Sequence, residues 1–151
     1  VGFSPWGLLV AAAVLAPNLL IARWPPRAPL PAVRVAGPLR WMERAGQASC
    51  IVVPVITRTG ELSWWWAVPT LVALAAYYGL WARYLVTGRD AAELYRSWCF
   101  VPVPMAVLPV LVFLGAAAWL GNPWVALAAM VLAAGHIPGS VIIARAVNAG
   151  S

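Results

Sequence analysis

Residues 97–144 read SWCFVPVPMAVLPVLVFLGAAAWLGNPWVALAAMVLAAGHIPGSVIIA, 48 consecutive positions without an acidic or basic side chain, bounded by Arg96 and Arg145. A membrane hydrocarbon core is crossed by about 20 helical residues, so this stretch is read as two spans. The tight turn Gly121-Asn122 divides them, which predicts helices over 98–120 and 123–145. Pro102, Pro104 and Pro109 in the first of these each remove a backbone donor, a loss tolerated in lipid where neighbours satisfy the freed carbonyls.

Working outward, three further helices are predicted. Residues 5–23 form an apolar stretch with Trp6 and Trp24 at its ends and Pro17-Asn18 inside it. Residues 24–40 carry Pro25, Pro26, Pro29, Pro31 and Pro38 and read as an extended surface connector. The apolar run 48–57 is too short to span alone and reaches span length only if its helix begins near Pro38, as the first helical residue, and takes in Arg40, Glu43 and Arg44. Residues 64–83 begin with Trp64-Trp65-Trp66 and end among Tyr77, Tyr78, Trp81 and Tyr84, aromatic belts at both ends. The expected fold is one all-α domain over 1–151, a polytopic membrane bundle of five transmembrane helices.

The composition agrees with this reading. The 151 residues are 64% hydrophobic and 9% charged, with a mean hydropathy of +0.86, whereas soluble domains carry about 25% charge. A secreted domain, a cytosolic enzyme and a nucleic-acid-binding module are excluded. All ten basic residues are arginine, and with five spans nine of them fall on one face, leaving only Arg58 on the other. Positive loops stay cytoplasmic, which places the N-terminus outside and the C-terminus inside, in a multi-pass protein of the inner (plasma) membrane. The net charge of +6 is thereby explained by topology, with the bilayer and not nucleic acid as partner. The first segment lacks a basic leader and a small-residue cleavage site and is expected to be a retained span. Cys50 and Cys99 form no CxxC pair and are expected to be buried free thiols.

Polar side chains kept inside lipid are the best pointer to chemistry. At 1.5 Å rise per residue, Asn18 and Tyr78 lie roughly 7 Å, and His136 roughly 13 Å, from the cytoplasmic ends of their helices. Gln47 stands one turn deeper than Glu43 on the same face, with Cys50 and Ile51 continuing it. Asp90, Glu93, Arg89 and Arg96 could cap this region from the 85–97 loop, while the outer half offers little beyond Thr70, tryptophans and aliphatics. A carboxylic acid at the mouth of an apolar cavity loses hydration, which favours a proton-donating form. For Glu43 the competing role is an ion pair with Arg40 or Arg44 at the headgroup level. His136 is either a base or substrate-binding group, or is satisfied by Asn18, a tyrosine or a carbonyl freed by Pro138. With a single histidine and no helix-spaced carboxylate beside it, no metal is expected. Gly135 and Gly139, four apart, offer a small-residue face for another helix, in this chain or in a second copy.

Six of the ten tryptophans are placed at predicted boundaries. Trp41, Trp66, Trp81 and Trp119, with Tyr77 and Tyr78, are left as candidates to line a cavity, where aromatic faces stabilise a cation. With Glu43, Asp90, Tyr77, Tyr78 and Trp81, the chain resembles in character the small integral-membrane terpene cyclases of bacterial and fungal natural-product pathways. That resemblance implies proton-initiated cyclisation of a lipid-soluble prenylated compound through a carbocation, without cofactor or metal. It makes Glu43 and Asp90 the acid candidates; together with the reading of the residues above, the catalytic candidates are Glu43, Asp90 and His136, and the substrate-binding ones Asn18, Trp41, Gln47, Tyr77, Tyr78 and Trp81. Two other classes compete. One is a non-catalytic binding, scaffold or transport subunit, and the other is a small membrane transferase acting on lipids, suggested by the charged Glu43-Arg44-Ala45 after the first span.

Overall fold

The computed structural model describes residues 1–98 and 100–149; Cys99, expected as a buried thiol, lies outside them. The first helix, α1 (Pro5–Asn18), opens with Pro5 in its first turn and with the Ser4 hydroxyl accepting from Gly7 N at 3.0 Å, so an N-cap and a pre-set φ fix its start. After Leu19 it continues as the single turn α2 (Leu20–Arg23). Pro17 cannot donate to the carbonyl four residues back, and the Tyr78 hydroxyl donates to that carbonyl, Ala13 O, at 2.8 Å. Thus a proline inside an apolar helix is compensated by a side chain of its neighbour.

The proline-rich connector has no helix until α3 (Gly37–Ile56), which has Pro38 in its first turn as predicted. Trp64–Trp66 form a 3-10 turn leading into α4 (Ala67–Val86). A short helix that periodicity did not predict, α5 (Ala91–Tyr95), is capped by Asp90, whose carboxylate accepts from Ala92 N at 3.0 Å. The bundle is completed by α6 (Pro104–Trp119) and α7 (Pro123–Ala149), joined by the Gly121-Asn122 turn.

Helix α6 is central: it packs on α4 and α7 and touches α1, while α3 lies along α7 in the most extensive pairing. The core gathers Val112, Phe113 and Ala116 of α6, Tyr77 and Tyr84 of α4, and Val125 and Ala129 of α7, all buried. Two hydrogen-bonded ends close it. At one, Gly2 N donates to Ile56 O (2.8 Å), Ser63 N to Trp119 O (2.9 Å) and the Asn122 amide to Thr57 Oγ1 (2.7 Å). At the other, Tyr84 OH donates to Trp24 O (2.9 Å) and Arg27 N to Arg89 O (3.2 Å), and Glu93 pairs with Arg83 (3.0 Å) and Arg96 (2.8 Å).

The expected count of five transmembrane helices requires correction. Among the described residues two helices are long and apolar enough to cross a membrane, Pro5–Arg23 and Pro123–Ala149. Helix α3 falls short in apolarity because it includes Arg40, Glu43 and Arg44, and α4 because of its tyrosines, Trp81 and Arg83. Helix α6 is highly apolar but has 16 residues, about 24 Å against a hydrocarbon core of about 30 Å. It starts six residues later than predicted because Pro102 and Pro104 delay helix formation: Trp98 and Val101 exchange backbone hydrogen bonds at 3.1 and 3.0 Å instead.

Candidate functional site

The α3–α7 seam is built on small residues. A Cβ on Gly135 would overlap the backbone of Glu43, and one on Gly46 would overlap the backbone of Leu132, so only glycine at both positions lets the helices approach this closely. Gly135 therefore serves packing inside the chain, against α3, whereas a Cβ on Gly139 would find ordinary space. The close approach has a chemical consequence. It brings His136 Nδ1 to 2.7 Å from Glu43 Oε1, with both side chains only partly exposed, at 24% and 29%. Gln47, one turn along α3, donates to the same oxygen at 3.4 Å. With Glu43 ionised, Nδ1–H is the donor, which leaves Nε2 as the ring atom that takes up or releases a proton. Glu43 thus pairs with neither Arg40 nor Arg44, and His136 with neither Asn18 nor a tyrosine; among the described residues its one ion pair is with the carboxylate across the seam.

His136 forms part of the wall of a cavity of about 350 Å³ enclosed by α1, α3, α4, α6 and α7. Its other polar wall residues are Asn18, Gln47, Cys50 and Tyr77; the rest are apolar, among them Val14, Phe113 and Leu132. The hydrogen bonds here are specific. Tyr77 OH donates to Asn18 Oδ1 at 3.0 Å, and the Asn18 amide donates to Val14 O at 3.1 Å. Helices α1 and α3 are tied together at the Gly2–Ile56 end and separate toward the other, where the wall residues Asn18, Ile21, Gln47 and Ile51 are exposed. The cavity therefore opens between α1–α2 and α3, at a rim of two apolar and two amide side chains.

A smaller chamber of about 130 Å³ adjoins it, sharing Asn18, Tyr77, Met105 and His136 and adding Trp81, Tyr95 and Ser140. Burial pushes the Tyr95 phenol above its usual range, with the Glu43 carboxylate adding to the effect, so its hydroxyl stays protonated as a donor. Among the described residues, no three His, Cys, Asp or Glu side chains come together to hold a metal ion.

Of the candidates read from the sequence, Glu43, Gln47, His136, Asn18, Tyr77 and Trp81 are brought together around these chambers. Three are not. Asp90 is exposed and engaged in capping α5. Trp41 is 72% exposed, and Tyr78, 43% exposed, is held by Ala13 O. Sequence reasoning missed Tyr95 and Met105. Ser140 stands four residues from His136 and shares its helix face. Tyr95 and Met105 lie on either side of the Trp98–Val101 hydrogen-bonded pair, and no periodicity places them. Against known proteins, the chain matches no family model, no curated protein and no solved structure.

Proposed function

We propose that the protein is a membrane-embedded enzyme that moves protons on a lipid-soluble, prenyl-type substrate, with His136 and Glu43 as the proton-carrying pair. The observation that carries this reading is the 2.7 Å pair at the wall of a cavity whose other surfaces are largely apolar. The carboxylate fixes the orientation of the ring through Nδ1. In the proposed cycle, Nε2 gives its proton to an epoxide oxygen or a terminal double bond. A neighbouring double bond attacks the cationic carbon and closes a ring, and a proton lost from the product carbon returns to His136. The net change is an isomerisation, and it consumes no cofactor. Phe113 and Tyr77 in the wall offer aromatic surface to the cation, and the apolar lining keeps water from capturing it.

Lipid is the solvent that best fits the outside of the bundle. Only 28% and 33% of the most apolar windows of Pro5–Arg23 and Pro123–Ala149 are buried inside the protein. Leu8, Leu9 and Leu19 of the first, Val68, Leu71 and Val72 of α4, and Leu127 and Met130 of α7 all point outward. Contiguous apolar surface of this extent marks a membrane or partner contact. Exposed tryptophans lie near both ends: Trp6, Trp64, Trp65 and Trp124 at one, Trp24 and Trp41 at the other. We infer that the bundle is embedded in lipid, with Pro5–Arg23 and Pro123–Ala149 as its spanning helices and with the arginine-rich end cytoplasmic in the inner membrane. The opening between α1–α2 and α3 then faces the bilayer, the phase in which a prenylated substrate dissolves.

The test is deuterium transfer. Purified protein in lipid nanodiscs is incubated in D₂O with a farnesyl phenol, whose terminal double bond takes up the proton at carbon, and product mass is read by spectrometry after exchangeable sites are returned to H₂O. The wild type is expected to yield a cyclised isomer carrying solvent deuterium, and His136→Gln and Glu43→Gln to yield none. Binding without isomerisation in the wild type would overturn the enzymatic reading in favour of a binding protein.

A further inference from the structure

The wall of the larger cavity continues past its rim along one stripe of α3. Arg40, Arg44, Gln47 and Ile51 are spaced four, three and four residues apart on that helix, so they share a face, and the last two line the cavity. Arg44 and Arg40 stand about 4.5 and about 10.5 Å beyond Gln47 along the axis, and both are exposed. Neither has an ion-pair partner among the described residues, because the acids of this end are engaged elsewhere: Glu43 with His136, Glu93 with Arg83 and Arg96, and Asp90 in capping α5. In the other direction the cavity closes. Helices α1 and α3 come together where a Cβ on Gly7 would overlap the backbone of Pro54, and one turn nearer the rim Ala11 and Cys50, with Phe113, form a buried floor.

We propose that the ligand is an anionic amphiphile, whose prenyl or alkyl chain lies in the cavity while its oxyanion head group, a phosphate or carboxylate, rests on Arg40 and Arg44. The proposal rests on the lipid-substrate reading above and adds the head group to it. Three features set the chemistry. At ~30 Å³ per water-sized group, the cavity of about 350 Å³ holds about a dozen heavy atoms, and its floor of Ala11 and Phe113 suits a chain and not a charge. Two guanidiniums without a carboxylate attract an oxyanion, which they bind through paired N–H donors, and they repel a cationic head. The head stays at the exposed end of the stripe, so its charge remains hydrated and is not taken into the bundle. Ring closure requires a folded chain, and one that turns at the floor returns its terminal double bond to the level of His136, which meets Glu43 on the rim side of Gln47.

The test measures three probes of equal chain length, dodecyl phosphate, dodecanol and dodecyltrimethylammonium, as the excess retained by protein in phosphatidylcholine nanodiscs over protein-free discs. Dodecyl phosphate is expected to bind about tenfold more tightly than dodecanol, and the double change Arg40→Gln with Arg44→Gln to remove that preference while leaving dodecanol unchanged. Raising salt from about 0.05 to about 0.5 M should shrink the same preference in the wild type, which decides the matter if the double variant does not fold. Excess dodecanol should displace dodecyl phosphate, since both chains occupy one cavity. Displacement by phosphatidylglycerol and not by dodecanol would assign the arginines to bilayer lipid and overturn the subsite. Equal binding of phosphate and alcohol, tightest binding of the ammonium, or a preference that survives the double change would overturn it as well. Deuterium transfer to the farnesyl phenol without any preference for dodecyl phosphate would remove the head-group site and keep the enzyme, whereas the preference without deuterium transfer would keep the site and remove the chemistry.

Discussion

The two halves of the bundle are built from similar helices and put to different uses. In the half holding Gly121-Asn122, Trp6, Trp64 and Trp119 pack at centroid distances of 5.8, 5.5 and 5.5 Å, and Asn122 closes the loops on Thr57. In the arginine-rich half, α1 and α3 separate, and Asn18, Tyr77, Gln47 and the His136–Glu43 pair surround open space. The comparison teaches that polarity kept in an apolar bundle is not spread evenly. One half spends its aromatics on contact, the other keeps hydrogen-bonding groups where packing is incomplete.

The sharpest way to break this contrast is to remove the imidazole on which the proposed cycle depends. His136→Gln is expected to lower turnover by about 10²–10⁴-fold, the range of general acid–base catalysis, while an outer-half change such as Trp64→Phe leaves turnover within about twofold. Comparing steady-state rates for the two variants measures the difference between halves directly. Next in size is the seam. Gly135→Val forces a side chain into the backbone of Glu43 and should destabilise the protein by about 1–3 kcal/mol, seen as a lowered thermal midpoint in nanodiscs. Smaller again, Tyr77→Phe removes the bond to Asn18 and should cost about 0.5–1.5 kcal/mol by the same melt, with a weakened KM if Asn18 then loses its orientation in the wall. Smallest is Trp41→Leu, on an outward-facing residue, which should leave both turnover and melting unchanged within error.

Much of the helical layout was legible in the sequence. The Gly121-Asn122 break and the choice of Pro38 as a helix start each translate into an observed boundary, because proline geometry and tight turns are local properties. The gathering of polar groups in one half was legible too, from helix rise alone. What the sequence hid depends on contacts between distant residues. The His136–Glu43 pair joins positions 93 apart and exists only because glycines let α3 and α7 approach. Tyr78 was counted as a binding residue, yet it serves the carbonyl freed by Pro17 on another helix, and Asp90 was read as an acid when its carboxylate caps a five-residue helix. The number of spans was over-read for a related reason. An apolar helix buried among its neighbours, like α6, can be shorter than a lipid-facing one, and sequence does not say which neighbours surround it.

The central claim, that one chamber in the arginine-rich half receives a lipid-soluble molecule between α1–α2 and α3, is tested most directly by photolabelling. A diazirine-bearing prenyl ketone is irradiated with the protein in nanodiscs, and the labelled peptides are mapped by mass spectrometry with unlabelled ketone as competitor. Competable labels are expected around Asn18, Gln47, Met105 and His136. Labels confined to outward residues such as Leu71 and Leu127, undiminished by competitor, would contradict the account.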